Sequence, residues 1–163
     1  MNSPIIFTVD EAQLSCYIMK IYNCDVAAVW SHFSNSTLLD KWWAPQPWKC
    51  ETVNFDFVPG GKWNFALVSP EDEKFYAGVN YNEVTHHRMI AMTDFSTDQD
   101  GKPQHNIPMV NWLIGFTGIS EGTKLTVNLF FNSAVDLQAT LEMGFEAGLQ
   151  AQLNQLEDIL SGK

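Results

Sequence analysis

Cysteine is scarce in this chain of 163 residues: Cys16, Cys24 and Cys50 are an odd set with no CxxC or Cys/His ligand spacing. A disulfide framework and a zinc site are therefore not expected, and the three read as reduced, small apolar side chains. Basic residues are also few, nine against nineteen acids, which gives a formal net charge of −10. Nucleic acid and anionic membrane surfaces would be repelled by such a chain, whose acids form a solvated surface without an acidic tail. There is no run of eighteen apolar residues, so membrane insertion is not expected. The start, MNSPIIFTVDEAQ, lacks a basic stretch followed by an apolar one and a small-residue cleavage site, which points to the cytoplasm. His32, His86, His87 and His105 show no HExxH or HxH spacing, so no metal is expected. No GxSxG is present, and Pro59-Gly60-Gly61 reads as a hairpin turn and not as a phosphate cradle; no cofactor and no catalytic residue is assigned.

Apolar residues are plentiful, and their spacing organises the chain. Residues 1–163 read as one domain, with a core over about 14–160. The stretch PIIFTVDEAQLSCYIMKIYN is rich in β-branched and aromatic residues and reads as an edge hairpin or one bent strand. Asp25 then stands at an N-cap position, with Val26, Val29, Trp30 and Phe33 at helical spacing after it. Leu38, Leu39 and Trp42 form a second short helix, stopped by Pro45 and Pro47. From Val53 the period becomes two: Val53, Phe55 and Phe57 lead through a turn into Trp63, Phe65 and Leu67. Residues 74–84 and 88–95 make the next pair, with Glu83 and Arg88 placed for a surface ion pair, and 109–118 and 123–131 make the last. Leu137, Leu141, Phe145, Leu149, Leu153, Leu156 and Leu160 put one apolar stripe on a helix starting near Asp136, roughly 36 Å long at ~1.5 Å per residue. An α+β fold with that helix laid on a curved antiparallel sheet buries the stripe.

One segment stands out. DKWWAPQPWKC, residues 40–50, holds three tryptophans and two prolines. Trp42 would anchor the second helix, while the prolines force an extended exit that carries Trp43 and Trp48.

Val29-Trp30, Leu38 and Lys41-Trp42-Trp43-Ala44-Pro45, with FDFVPGGKW at 55–63, Gly78, Glu83-Val84 and EGTKLTV at 121–127, resemble the activator of heat-shock protein 90 ATPase homologue-like family. The likeness runs from about residue 20 to 160. It departs at Cys24-Asp25, where the family often has a proline, at Thr85-His86-His87, where it has a double-proline turn, and in HNIPMVNW. The family belongs to the SRPBCC superfamily, so the resemblance implies the helix-grip fold of START-like and birch-pollen-allergen-like proteins. In that fold a curved sheet wraps a long C-terminal helix, with two short helices after the first strand.

The resemblance also implies a cavity between the concave sheet face and the helix, one end of which Trp43 or Trp48 would close, so that residues 40–50 form either a lid that moves or a static plug. Strand parity puts Phe55, Phe57, Trp63 and Phe65 on one face and groups Trp112 with Phe116, while the helix offers Phe145 and Leu149. With Trp43 and Trp48 these are the expected ligand-binding residues. Gly148 joins them, because the Gly144/Gly148 spacing signals either close packing on the sheet or space for a ligand. The expected function is noncatalytic binding of a small, largely hydrophobic molecule, by a monomer or homodimer. A chaperone partner is implied by the family name alone. The third reading is a cyclase- or hydrolase-like enzyme using the same cavity, for which Asp94, Glu142 and Glu146 are the acid candidates.

Overall fold

The computed structural model describes residues 2–163. Two strands open the chain, β1 (Ile5–Asp10) and β2 (Ser15–Tyr22), followed by helices α1 (Val26–Ser34) and α2 (Ser36–Trp42). Six more strands follow: β3 (Lys49–Phe55), β4 (Lys62–Val68), β5 (Lys74–Thr85), β6 (Met89–Ser96), β7 (Val110–Ile119) and β8 (Gly122–Phe130). Helices α3 (Ala134–Glu142) and α4 (Phe145–Leu160) end it. The strands form one eight-stranded sheet in the order β1-β2-β8-β7-β6-β5-β4-β3, and every neighbouring pair is antiparallel. This is the expected α+β helix-grip arrangement, an open curved sheet with the C-terminal helix against it.

Local chemistry accounts for the helix starts. The Asp25 carboxylate accepts the Ala28 N–H at 2.9 Å, and the Asn35 side chain accepts that of Leu38 at 3.2 Å. Each satisfies a donor that the first helical turn leaves without a partner. Asn35 is extended, so it ends α1 and caps α2 at once. The buried stripes of both helices then meet the sheet through Val29, Trp30, Phe33, Leu39 and Trp42.

The concave face is filled by alternate residues of successive strands: Cys16 and Ile18; Leu125, Val127 and Leu129; Trp112, Ile114 and Phe116; Ile90 and Met92; Val79 and Tyr81; Trp63 and Phe65. Leu149, Leu153 and Leu156 of α4 complete the same contiguous cluster. Two polar ties fix α4 across β2. The Tyr22 hydroxyl donates to the Leu153 carbonyl at 3.0 Å. Lys20, which has no solvent exposure, pairs with Glu157 at 3.0 Å and donates to the Ser3 carbonyl and hydroxyl at 2.7 and 2.8 Å.

Three sequence expectations are corrected. The single C-terminal helix is broken: Gly144 has φ +80°, a left-handed conformation that interrupts the ladder between α3 and α4. A register shift between Thr52 and Asn54 moves β3 out of strict alternation, so Val53 faces solvent instead of sharing a side with Phe55. Glu83 and Arg88 form no ion pair; among the described residues the pairs are Lys20–Glu157 and Lys74–Glu51. The first stretch resolves as the hairpin and not as one bent strand.

Gly148 lies inside α4 with nothing within 4 Å of where a Cβ would stand, so close packing does not explain it. An alanine there removes backbone freedom from the unfolded chain and meets no obstacle. Gly148→Ala should therefore stabilise the protein by about 0.5–1 kcal/mol, raising the calorimetric midpoint by about 1–4 °C. An unchanged or lower midpoint would contradict the open placement.

Candidate functional site

An aromatic floor is assembled where α2 runs into β3. Trp43, at the C-cap of α2, is turned inward and lies edge-on to Trp42 at 5.3 Å and to Trp63 at 5.2 Å between ring centroids. Trp112 is 5.7 Å away on the other side, and Trp63 stacks on Phe65 at 4.2 Å. Edge-to-face pairs of this kind add to the gain from burial alone. The backbone around Trp43 is tied to α4: Gln152 donates to the Trp43 carbonyl, and Gln155 donates to those of Lys41 and Ala44, each at 3.1 Å.

Above this floor, at the ends of β4, β5 and β6, the concave face stays open. A cleft of about 210 Å³ lies there. Its apolar walls are Trp43, Phe65, Leu67, Phe75, Ala77 and Phe95, and Ile107 with Pro108 from the β6–β7 connection closes one side. Asp94 supplies the acid. Its Oδ2 accepts the Trp112 Nε1–H at 2.7 Å. Burial pushes the Asp94 carboxyl up to about 7, although the hydrogen bonds from Trp112 and the Val110 backbone act in the opposite direction. Near neutral pH it therefore exchanges a proton.

The expected site residues divide into groups. Trp43 and Phe65 line the cleft, Trp112 stands behind its wall bonded to Asp94, Trp63 backs the floor, and Phe145 lies 6.3 Å from Trp112. Phe57 and Phe116 instead gather around Trp30, at 5.7 and 4.9 Å, beside the stacked His86 and His87. Phe55 bridges the two clusters, 6.2 Å from Trp63 and 5.8 Å from Phe57. Leu149 is buried in the core, and Gly148 does not line the cleft. Trp48 is 36% exposed and packs 5.6 Å from Phe75, which places it at the rim.

Sequence reasoning missed Leu67, Phe75, Ala77, Ile107 and Pro108, and it did not separate Asp94 from the surface acids. A signal existed for Asp94: Ile90, Met92 and Asp94 share strand parity, so a carboxyl stands where an apolar inward residue belongs. A wider groove of about 480 Å³ runs between Glu11 and α3. It carries the acid candidate Glu142 but no aromatic side chain and none of the expected ligand-binding residues, so the smaller cleft is the better candidate. Among the described residues no cluster of His, Cys, Asp or Glu is arranged to hold a metal ion. No helix among them is long and apolar enough to cross a membrane.

Structural comparison agrees with this architecture. A crystallised protein of Mycobacterium smegmatis is 25% identical, with a TM-score of 0.88 over 96% of this chain and 97% of that one. The solution structure of an Arthrobacter aurescens protein superposes with a TM-score of 0.92 at 23% identity, covering 97% and 92% of the two chains. A Nitrosomonas europaea protein reaches 26% identity and a TM-score of 0.78, covering 94% and 97%. No curated protein matches the sequence at a significant level. The model of the family described as Activator of Hsp90 ATPase homolog 1-like protein matches residues 23–161, and the chain belongs to that family.

Proposed function

We propose that this protein binds a small, largely hydrophobic molecule whose planar part lies in the cleft over Trp43, with the whole chain acting as one domain. The observation that carries this reading is the opening of about 210 Å³ on the inner sheet face, walled by aromatic and aliphatic side chains. A dry cavity of about 150 Å³ accepts benzene, whereas drug-sized ligands fill roughly 300–1,000 Å³. The size favours a one-ring or fused two-ring molecule over a long-chain lipid. Trp42 and Trp63, and Leu153 and Leu156 of α4, are almost completely buried, which favours the ligand at the open end over one deep inside. The ties from Gln152 and Gln155 favour residues 41–44 as a fixed plug, with the more exposed Trp48 as the part free to move. The three unpaired cysteines are consistent with a reducing, cytoplasmic setting.

Tryptophan emission tests the reading, because Trp43 lines the cleft and Trp112 bonds to its carboxyl. Neutral one- and two-ring aromatics should change the emission saturably, and Phe75→Ala should weaken the response several-fold. A panel of such compounds that leaves the emission unchanged would refute the proposal.

A further inference from the structure

We infer that the cleft selects a small aromatic cation, an amine or amidine on one or two rings, by setting its charge against the Asp94 carboxylate. This rests on the binding reading above and adds the ligand's charge and headgroup. Asp94 lines the cleft, and Trp112 holds its Oδ2 at 2.7 Å, which fixes the carboxyl's orientation. Among the described residues lining the cleft there is no Lys, Arg or His, and the ion pairs among the described residues, Lys20–Glu157 and Lys74–Glu51, do not include Asp94. When ionised, such a group in an apolar wall has the hydrogen bonds from Trp112 and the Val110 backbone but no countercharge unless the ligand brings one.

The surroundings agree with that polarity. Trp43, Phe65 and Phe75 line the same opening, and the faces of aromatic rings attract cations through their quadrupole. The formal net charge of −10 raises the local concentration of cations and repels anions. Asp94 is faced by β5 through Phe75, Tyr76, Ala77 and its strand partner Val79, and by β7 through Val110 and Trp112. Tyr76 is the other titratable group lining the cleft among the described residues. From the C-terminal helix Phe145 approaches Trp112, while the neighbouring Glu146 acts on Cys16. Asp94 is thus the acid available to a ligand in the cleft.

Ionisation of Asp94 gives the recognition a pH dependence. Its carboxyl titrates at about 7, so a ligand that needs the carboxylate loses affinity as pH falls through that value. Between pH 8.5 and 5.5 the ionised fraction falls by ~30-fold, and the affinity for a permanent cation should fall equally. A neutral isostere should show little of this change.

Isothermal titration calorimetry with benzamidine, benzamide and benzoate, at pH 5.5 and 8.5, tests the assignment on the full chain. At pH 8.5 benzamidine should bind at least ~10-fold more tightly than benzamide, with benzoate weakest, as expected for one charge-assisted contact. Benzamidine affinity should drop ~30-fold at pH 5.5. Asp94→Asn should remove both the preference for benzamidine and its pH dependence while benzamide still binds. Equal binding of benzamidine and benzamide to the wild-type protein, or a preference for benzoate, would overturn the charge assignment and leave the hydrophobic cleft standing. Failure of all three to bind at either pH would overturn both readings. The wild-type comparison decides the matter even if the variant fails to fold.

Discussion

Replacing Glu157 by alanine should lower the calorimetric midpoint by about 6–20 °C, corresponding to about 3–5 kcal/mol. The reason is Lys20. Its side chain has no solvent exposure, and Glu157 at 3.0 Å is its countercharge. Taking the carboxylate away leaves a buried ammonium with no countercharge, held by the Ser3 oxygens and the face of the Tyr22 ring at 5.6 Å. It also frees the Ser3 amide, which donates to Glu157 Oε1 at 2.9 Å, and so loosens the N-terminal segment from α4. The double replacement Lys20→Met with Glu157→Leu should recover most of the loss, because a buried pair and an apolar pair differ little in net stability. A drop of less than about 2 °C for Glu157→Ala would show that the ammonium finds water.

The same pair sets an acid limit. Burial alone would raise the Glu157 carboxyl, but hydrogen bonds from Asn2, Lys20 and Ser3, with the Lys20 charge, hold it at about 2. Because that value lies below the ordinary carboxylate range, the stabilisation is complete above the unfolded value and disappears as pH falls through about 2. Urea unfolding in acid should therefore show the Glu157→Ala and wild-type stabilities converging.

Trp63→Ala should be comparably damaging, at about 3–5 kcal/mol in urea unfolding. Trp63 is 1% exposed, and its ring is shared between Phe65, Trp43 and Phe55. Alanine leaves a void that the rigid sheet cannot close. Its indole N–H donates to Thr52 Oγ1 at 3.0 Å, and that hydroxyl donates in turn to Asp40 at 2.6 Å. Trp63→Phe keeps part of the ring contact and loses the first of these bonds, so about 1–2 kcal/mol is expected. Equal losses for the two variants would mean that the hydrogen bond, and not packing, accounts for the effect.

Much of this was legible because it is periodic. The alternation that puts Trp63 and Phe65 on one face, and Trp112 with Phe116, follows from strand geometry that the sequence displays directly. Asp25 was readable as a cap from its position before an apolar helical pattern. Features that break a period were not readable. The bulge between Thr52 and Asn54 and the left-handed Gly144 each depend on how a local segment fits its neighbours in space. Lys20 and Glu157 pair across the fold from opposite ends of the chain, and neither position suggests the other. The candidate site was half visible for the same reason. Trp43 and Phe65 announce themselves as aromatics, whereas Ile107 and Pro108 reach the cleft from an irregular connection that carries no pattern.

The claim that the open end of the concave face receives an aromatic ring is tested most directly by two-dimensional ¹H–¹⁵N spectra recorded while 2-naphthol is added. Trp30, beside Phe116 at the other aromatic cluster, provides an internal control within the same molecule. The indole signals of Trp43 and Trp112 and the amides of Ala77 and Ser96 should move together and saturate, while that of Trp30 stays in place. Movement confined to Trp30 and its neighbours, or no movement up to the solubility limit of the naphthol, would contradict the account.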